Sequence, residues 1–314
     1  MKYRFLFYLL FSSALSFSQK IDNTAAFRDL GNDSYFKFAY DNDYFSANDY
    51  YYTQGYNFEL TSPKLHKNPL NKLLLKLKDS IKTYGLALEH YGFTPTSIRH
   101  EEILVGDRPF AACIVLKSFA VSKNSSKQES LSSILTLGLI GPVAFGGGMQ
   151  TTIHRWIGGV TPQGWDNQIQ NDLLIGYQLN HEKQVYTNKY LSLNSNLNMQ
   201  VGTVNTKAQA GLTLTLGKQK NVFTSKDSKY QFFIYSQPLV NVIGYDATLQ
   251  GTLFNKSLYT IKASDITRVN LQNNFGVVLQ LKAVQLEYTR SVLGKEFETG
   301  KYHKWGGIRI GFLM

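Results

Sequence analysis

The sequence predicts an all-β fold, a transmembrane antiparallel β-barrel of about 12 strands with a short helix in an extracellular loop. Three observations carry that expectation. The N-terminus reads as an export leader, and no later segment stays apolar for the roughly 18 residues that a membrane helix needs. Segments of about ten residues alternate apolar and polar side chains with period two. The 314-residue chain holds 20 Tyr and 20 Phe, spread evenly and placed near the ends of these segments as interfacial girdles would require.

The leader comes first. Lys2 and Arg4 precede an apolar run from Phe5 through Phe11, and the small residues Ser12, Ser13, Ala14, Ser16 and Ser18 follow. Residues 1–18 are therefore expected to be a cleaved signal peptide, with 19–314 a single outer-membrane β-barrel domain. Cys113 is the only cysteine, which excludes an internal disulfide and a Cys-based zinc site. Without Lys2 and Arg4 the basic count falls from 33 to 31 against 22 acidic residues, a net charge of about +9. For an exported chain that balance points to an anionic membrane surface and away from nucleic acid. With 7 Pro, no low-complexity linker and no repeat at a fixed period, one domain is expected. The expected assembly is a monomer.

The first strand is expected at 35–44, where Phe36, Phe38 and Tyr40 share the lipid-facing parity and Asp41 and Asp43 the inward one. Candidates at 52–62, 83–93, 109–122, 131–141 and 171–182 follow. In the seventh, 189–202, Leu191, Leu193, Leu197 and Met199 oppose Ser192, Asn194, Asn196, Asn198 and Gln200. In the eighth, 207–217, Ala208, Ala210, Leu212, Leu214 and Leu216 oppose Gln209, Gly211, Thr213 and Thr215. Next come 230–243 and 267–281, then 283–293, with Val284, Leu286 and Tyr288 against Gln285, Glu287 and Thr289. The last, 304–314, places Phe312 near the C-terminus. Alternation alone fits a soluble sandwich equally well. The leader, the segment length and the aromatic ends select the barrel, whose apolar face meets lipid and whose polar face meets the lumen.

Two helices are expected between the strands, at 69–77 and 149–157. In the second, Met149, Ile153, Trp156 and Ile157 share one face, and Gln150 and His154, four apart, point together on another. Gly146, Gly147 and Gly148 read as a sharp turn before it, and Gly158 and Gly159 as its left-handed end. A closed barrel needs no helix to satisfy its backbone, so a helix bearing an ionisable residue calls for its own explanation. The plain one is a rim helix with a solvated histidine.

A second constellation lies near the N-terminus. Asn42 and Asp43, with Thr53 on the neighbouring strand, offer amide, carboxylate and hydroxyl oxygens, hard donors suited to calcium. At a strand end the same residues are also ordinary turn formers.

Taken in order, Asn42-Asp43, Tyr52-Thr53-Gln54-Gly55, Gly106-Asp107-Arg108-Pro109-Phe110-Ala111, Gly138-Leu139-Ile140-Gly141-Pro142, Gln150 with His154, and Gly164-Trp165 with Gln168 form a pattern. It resembles that of the outer-membrane lipid A deacylases of the LpxR family, over roughly residues 36–175. The resemblance implies a twelve-stranded barrel with its site at the outer-leaflet end, between barrel wall and loop helix. It implies calcium-dependent hydrolysis of the 3′-linked acyloxyacyl ester of lipid A, with Ca2+ as cofactor and lipid A or lipopolysaccharide, among outer-membrane lipids, as partner. His154 is the implied catalytic base, paired with Gln150, and Asn42, Asp43 and Thr53 are the implied site residues. Two positions depart from the family pattern. Its Lys between the third and fourth strands has no secure match, Arg99 and His100 being the nearest basic candidates. Its Glu six residues past the histidine is replaced by Val160, whose side chain can neither ligate nor act as a base.

Residue chemistry agrees with this outline. Neutral His154 would take a proton from water attacking an ester, a contribution of typically about 10²- to 10⁴-fold. Calcium held through Asp43, with Asn42 or Thr53, would polarise the carbonyl. No G-x-S-x-G elbow accompanies Ser46 or the Ser-rich stretch 122–133, which argues against a serine esterase. Asp107 and Arg108 are expected to pair and fix Pro109, Trp165 to anchor in the membrane interface, and Glu89 and His90 to neighbour the site. Lys64, Lys67, Lys72, Lys76 and Lys78 read as solvated loop charge or as contacts for lipid A phosphates. Two other readings stand beside the deacylase: a noncatalytic barrel, either a narrow porin or a lipid-binding protein, and a calcium-dependent phospholipase.

Overall fold

The period-two segments pair into twelve antiparallel strands that close on themselves. A computed structural model describes residues 22–31, 33–46, 50–223 and 230–314, so the expected signal peptide lies outside the described residues. The strands are β1 (Tyr35–Asn42), β2 (Tyr51–Thr61), β3 (Ile81–Thr94), β4 (Ala111–Asn124), β5 (Glu129–Ile140) and β6 (Asp172–Thr187). They continue as β7 (Leu191–Gly202), β8 (Asn205–Lys218), β9 (Tyr230–Asp246), β10 (Val269–Leu281), β11 (Val284–Leu293) and β12 (His303–Leu313). Each pairs with its neighbours in sequence, and β1 closes on β12 with Tyr35 opposite Leu313 and Asn42 opposite Gly306. Closure removes the free edges, so backbone polar groups are satisfied within the wall at membrane depth. All twelve expected strands are present. Among the described residues no helix is long and apolar enough to cross a membrane.

The two parities separate as the barrel requires. On β7, Leu197 and Met199 are exposed while Ser192, Asn194, Asn196 and Asn198 are buried inside. The lumen is cross-linked by its own side chains: Gln209 donates to Asn241 and Gln272, Gln237 to Thr213, and Asn274 to Gln237. Lys37 pairs with Glu59 at 3.1 Å, and Lys117 pairs with Glu89. A cavity of about 150 Å3 remains, lined in part by Glu59, Glu89, Lys117, Lys207, Asp246 and Glu296.

The chain ahead of β1 fills one end of this interior. The Ala26 amide donates to Glu182 at 2.6 Å, the Arg28 guanidinium pairs with Glu287 at 2.6 Å, and the Phe27 ring packs 4.3 Å from Tyr235. Ala25, Phe27, Phe233, Tyr235 and Val278 form a small apolar cluster there. A lumen occupied in this way works against the narrow-porin alternative.

Connections at the end carrying both barrel termini are two to four residues long at 125–128, 188–190 and 282–283, and longer at 219–229 and 62–80, the last being the longest. The opposite end carries 95–110, 141–171 and 247–268. Outer-membrane barrels have short periplasmic turns and longer extracellular loops, so the second end faces outward. The helix expected at 69–77 is absent. In its place are two 3-10 turns, Pro63–Lys67 and Pro69–Lys72, capped by the Ser62 and Asn68 side chains. Beyond them the barrel wall captures the donors that a helix would need: the Leu75 and Leu77 amides bond to the Tyr177 hydroxyl and the Ser122 Oγ.

Candidate functional site

At the extracellular end of β1, the Asn42 Oδ1 accepts a bond from the Tyr44 amide at 2.8 Å, which turns the chain into the 3-10 segment Asp43–Ser46. Asp43 therefore leaves the strand and is buried in that turn. The expected shared inward parity with Asp41 does not hold: Asp41 faces the lumen, 3.1 Å from Arg309.

Thr53 owes its position to a β-bulge. The pairing of β2 with β3 shifts between Tyr52 and Gln54, leaving Thr53 as the extra residue. Bulges re-aim side chains. Here Tyr52 stays in the lumen against Trp305, with ring centroids 5.0 Å apart. Thr53 turns its side chain to Gly92, where a Cβ would lie 3.6 Å from its Cγ2.

The helix α1 (Gly146–Ile157) lies against the outside of the wall at this end. It begins three residues earlier than expected, and the glycines have a different task. The sharp turning is done upstream, by Gly141 at φ 102° and Phe145 at φ 48°. Gly146 and Gly147 sit in the first helical turn, where a Cβ would collide with the Ala112 Cβ in one case and lie 2.9 Å from the Trp165 Cγ in the other. They are required for close approach to the wall. His90, on the outer face of β3, fixes this entry: its Nε2 lies 2.8 Å from the Ala144 carbonyl, and its ring stacks on Phe145 at 5.0 Å. A carbonyl only accepts, so Nε2 carries the proton. Glu89, by contrast, belongs to the lumen.

Gln150 is 2 % exposed and bonded at both ends of its amide. Its Nε2 donates to Thr53 Oγ1 at 3.3 Å, and its Oε1 accepts from Trp165 Nε1 at 2.7 Å. Trp165 opens the 3-10 turn Trp165–Asn167 and packs 4.9 Å from Phe110. It is a buried strut of the site, which corrects its expected role as an interfacial anchor. Gly146 and Gly147 ahead of Gln150 were the sequence signal for it, since a Cβ at either would meet Trp165.

His154 lies one turn further on and is half-buried. Its Nδ1 is 2.6 Å from the Val160 carbonyl. That acceptor places the proton on Nδ1 and the lone pair on Nε2. The geometry comes from the helix end: Gly158 is at φ 69°, and the Gly159 amide donates to the His154 carbonyl at 2.7 Å, folding residue 160 back over the imidazole. The valine that departs from the family pattern thus contributes through its main chain. Trp156 and Ile157, 80 % and 69 % exposed, turn the apolar face of α1 away from the barrel.

Arg99 and His100 are exposed in the 95–110 loop, and no hydrogen bond or ion pair joins either side chain to His154 or Gln150 among the described residues. The loop is tied to the site backbone by the Gln163 amide, which bonds to the Ile98 carbonyl at 2.7 Å. Asp107 and Arg108 do not pair through their side chains. Asp107 accepts from the Thr96 amide at 2.8 Å, whereas Arg108 crosses to Glu296 and Thr248 and lies over the Phe93 ring at 3.9 Å. Burial pushes the Glu296 carboxyl up to about 7, against the pull of Arg108.

Asn42, Asp43 and Thr53 supply oxygen donors of calcium type, one carboxylate with two neutral groups. Among the described residues Thr53 Oγ1 accepts one bond, from Gln150 at 3.3 Å, and retains a lone pair. Among the described residues no group of three or more His, Cys, Asp or Glu could hold a metal. The donor set fits a hard cation and not zinc.

A family model described as Outer membrane protein LpxR matches residues 5–313. Among solved structures, LpxR from Salmonella typhimurium is similar at 17 % identity and a TM-score of 0.73, over 90 % of this chain and 100 % of that one. The beta domain of the Bordetella autotransporter BrkA is similar at 10 % identity and a TM-score of 0.48, over 90 % of this chain and 99 % of that one. No curated protein matches the chain.

Proposed function

The chain belongs to the LpxR family of outer membrane proteins, and from that premise we propose that it is a calcium-dependent lipid A deacylase. It removes the 3′-linked acyloxyacyl group by ester hydrolysis at the outer leaflet. The observation that carries this reading is the pairing of an oriented histidine with an anchored helix. Val160 holds the proton on the Nδ1 of His154, and Gln150 ties the same helix to Thr53 on the wall.

With its lone pair on Nε2, His154 takes a proton from a water molecule as that water attacks the ester carbonyl carbon. When the tetrahedral intermediate collapses, the carbonyl–sugar oxygen bond breaks. The imidazolium returns its proton to the departing sugar oxygen, giving a free hydroxyl and a fatty acid. Asp43, Asn42 and Thr53 would hold calcium, which supplies Lewis-acid polarisation of the ester carbonyl and charge for the developing oxyanion. Gln150 positions the helix that bears His154. The outward apolar face of α1, with Trp156 and Ile157, suits a substrate whose acyl chains lie in the membrane.

The test is purified barrel incubated with lipid A in detergent, with calcium and with chelator. Release of the 3-acyloxy fatty acid only in the calcium sample supports the reading. Intact lipid A together with cleaved glycerophospholipid would instead assign the site to a phospholipase.

A further inference from the structure

The connection 62–80 is the longest at the periplasmic end. It does not hang below the barrel but lies on its outer wall. Its Asn68 side-chain Nδ2 donates to Ser118 Oγ at 3.3 Å, the Leu77 main-chain amide to Ser122 Oγ at 3.0 Å, and Ser133 Oγ to the Leu75 carbonyl at 2.7 Å. Those serines share the outward parity of Leu116 and Leu137, both exposed nearer the middle of the wall. The wall is thus small and polar where lipid-facing side chains would otherwise stand, and the segment covers it.

The surface that replaces them has its own pattern. Leu70, Leu73 and Leu75 are exposed, Leu73 at 59 %, while Leu74 is buried against the wall. Around them stand Lys64, Lys67, Lys72, Lys76 and Lys78, with Asp79 the only acidic residue of the stretch. Exposed leucines among lysines at the edge of a bilayer match an interface of acyl chains and phosphate headgroups. The long-loop end of the barrel holds the candidate site, so these lysines are at the wrong end to meet lipid A phosphates.

We propose that segment 62–80 is a docking surface for anionic phospholipid of the periplasmic leaflet, its leucines entering the acyl region and its lysines meeting the phosphates. The inference does not rest on the deacylase reading. It gives a role to the longest connection of the periplasmic end, 62–80.

The test uses the purified full barrel. Native mass spectrometry in detergent with equal phosphatidylglycerol and phosphatidylcholine should show the anionic lipid retained preferentially, on the order of tenfold. A variant carrying Lys64→Gln, Lys67→Gln, Lys72→Gln and Lys78→Gln should bring that preference close to unity. Its heat-modifiable migration and its activity on lipid A should be unchanged. A control with Lys295→Gln and Lys301→Gln at the extracellular rim should keep the preference. Equal retention of the two lipids by wild type, or a preference that persists in the folded quadruple variant, overturns the proposal. Leu73→Cys carrying an environment-sensitive fluorophore reads the same contact without removing charge, because Cys113 is buried. Blue-shifted emission in phosphatidylglycerol nanodiscs is expected, and water-like emission contradicts the docking.

Discussion

Replacing Trp165 by Phe isolates the strut that holds the helix bearing His154. The Gln150 amide makes two bonds of unequal quality, 2.7 Å from Trp165 Nε1 and 3.3 Å to Thr53 Oγ1. The shorter one is the stronger, and its loss leaves a buried carbonyl oxygen unpaired, a cost of about 1–3 kcal/mol. Thr53→Val removes only the long bond, about 0.5 kcal/mol at the low end of the usual range. Since about 1.4 kcal/mol is tenfold in an equilibrium, Trp165→Phe should open α1 roughly five- to 150-fold more often. Amide hydrogen exchange across 146–157 reads this directly, while exchange in the strands stays as in wild type. Deacylation should slow at every calcium concentration in Trp165→Phe with the calcium midpoint fixed, whereas Thr53→Val should shift the midpoint. Unchanged exchange in α1 of the Trp165 variant would refute the strut and with it the argument from the glycines.

Gly146→Val should abolish deacylation while the barrel remains heat-modifiable, because its side chain meets Ala112 and Trp165 and forces the helix off the wall; a fully active variant contradicts the close packing. Arg28→Ala strands Glu287 in the lumen, and removal of one partner from a buried pair costs about 3–5 kcal/mol. The bond from Tyr235 to Glu287 at 2.6 Å puts the expected loss at the low end, read as a lower unfolding temperature in detergent. Glu296 gives a pH dependence with a definite sign. Its folded value, about 7, lies above the ordinary 4.5, so its stabilising contribution is present below about pH 4.5 and is lost as pH rises through 7. The unfolding temperature should therefore fall between pH 5 and pH 8, and fall less in Glu296→Gln. Calcium removal by chelator should stop hydrolysis without changing barrel migration on a gel, and calcium should restore it.

The strands were legible because lipid on one side and a packed polar lumen on the other impose a strict period of two, which β7 and β8 follow almost without exception. That Gln150 and Thr53 belong to one site was legible only through the order of short motifs, and their hydrogen bond was not legible, since the bulge at Thr53 leaves no mark in a periodicity. His90 was legible as a neighbour of the site and Trp165 as part of the motif pattern, but their roles as supports of the helix were not, because those roles depend on how near two surfaces come. That nearness is written as absent side chains at Gly146 and Gly147. The stretch 69–77 looked helical from its leucines and lysines, but Tyr177 and Ser122, distant in sequence, take its backbone donors. Asp107 and Arg108 looked like partners by adjacency, yet neighbouring side chains point apart. Arg108 finds Glu296 across the barrel end instead.

The central claim, that His154 serves a deacylase, is met most directly by mass spectrometry of lipid A from calcium-supplied cells expressing the protein or its His154→Ala variant. Lipid A lacking the 3′-acyloxyacyl group in the wild type, and intact lipid A in an equally abundant, heat-modifiable variant, is the predicted result. Intact lipid A in the wild type, or loss of the group in both, would contradict the claim.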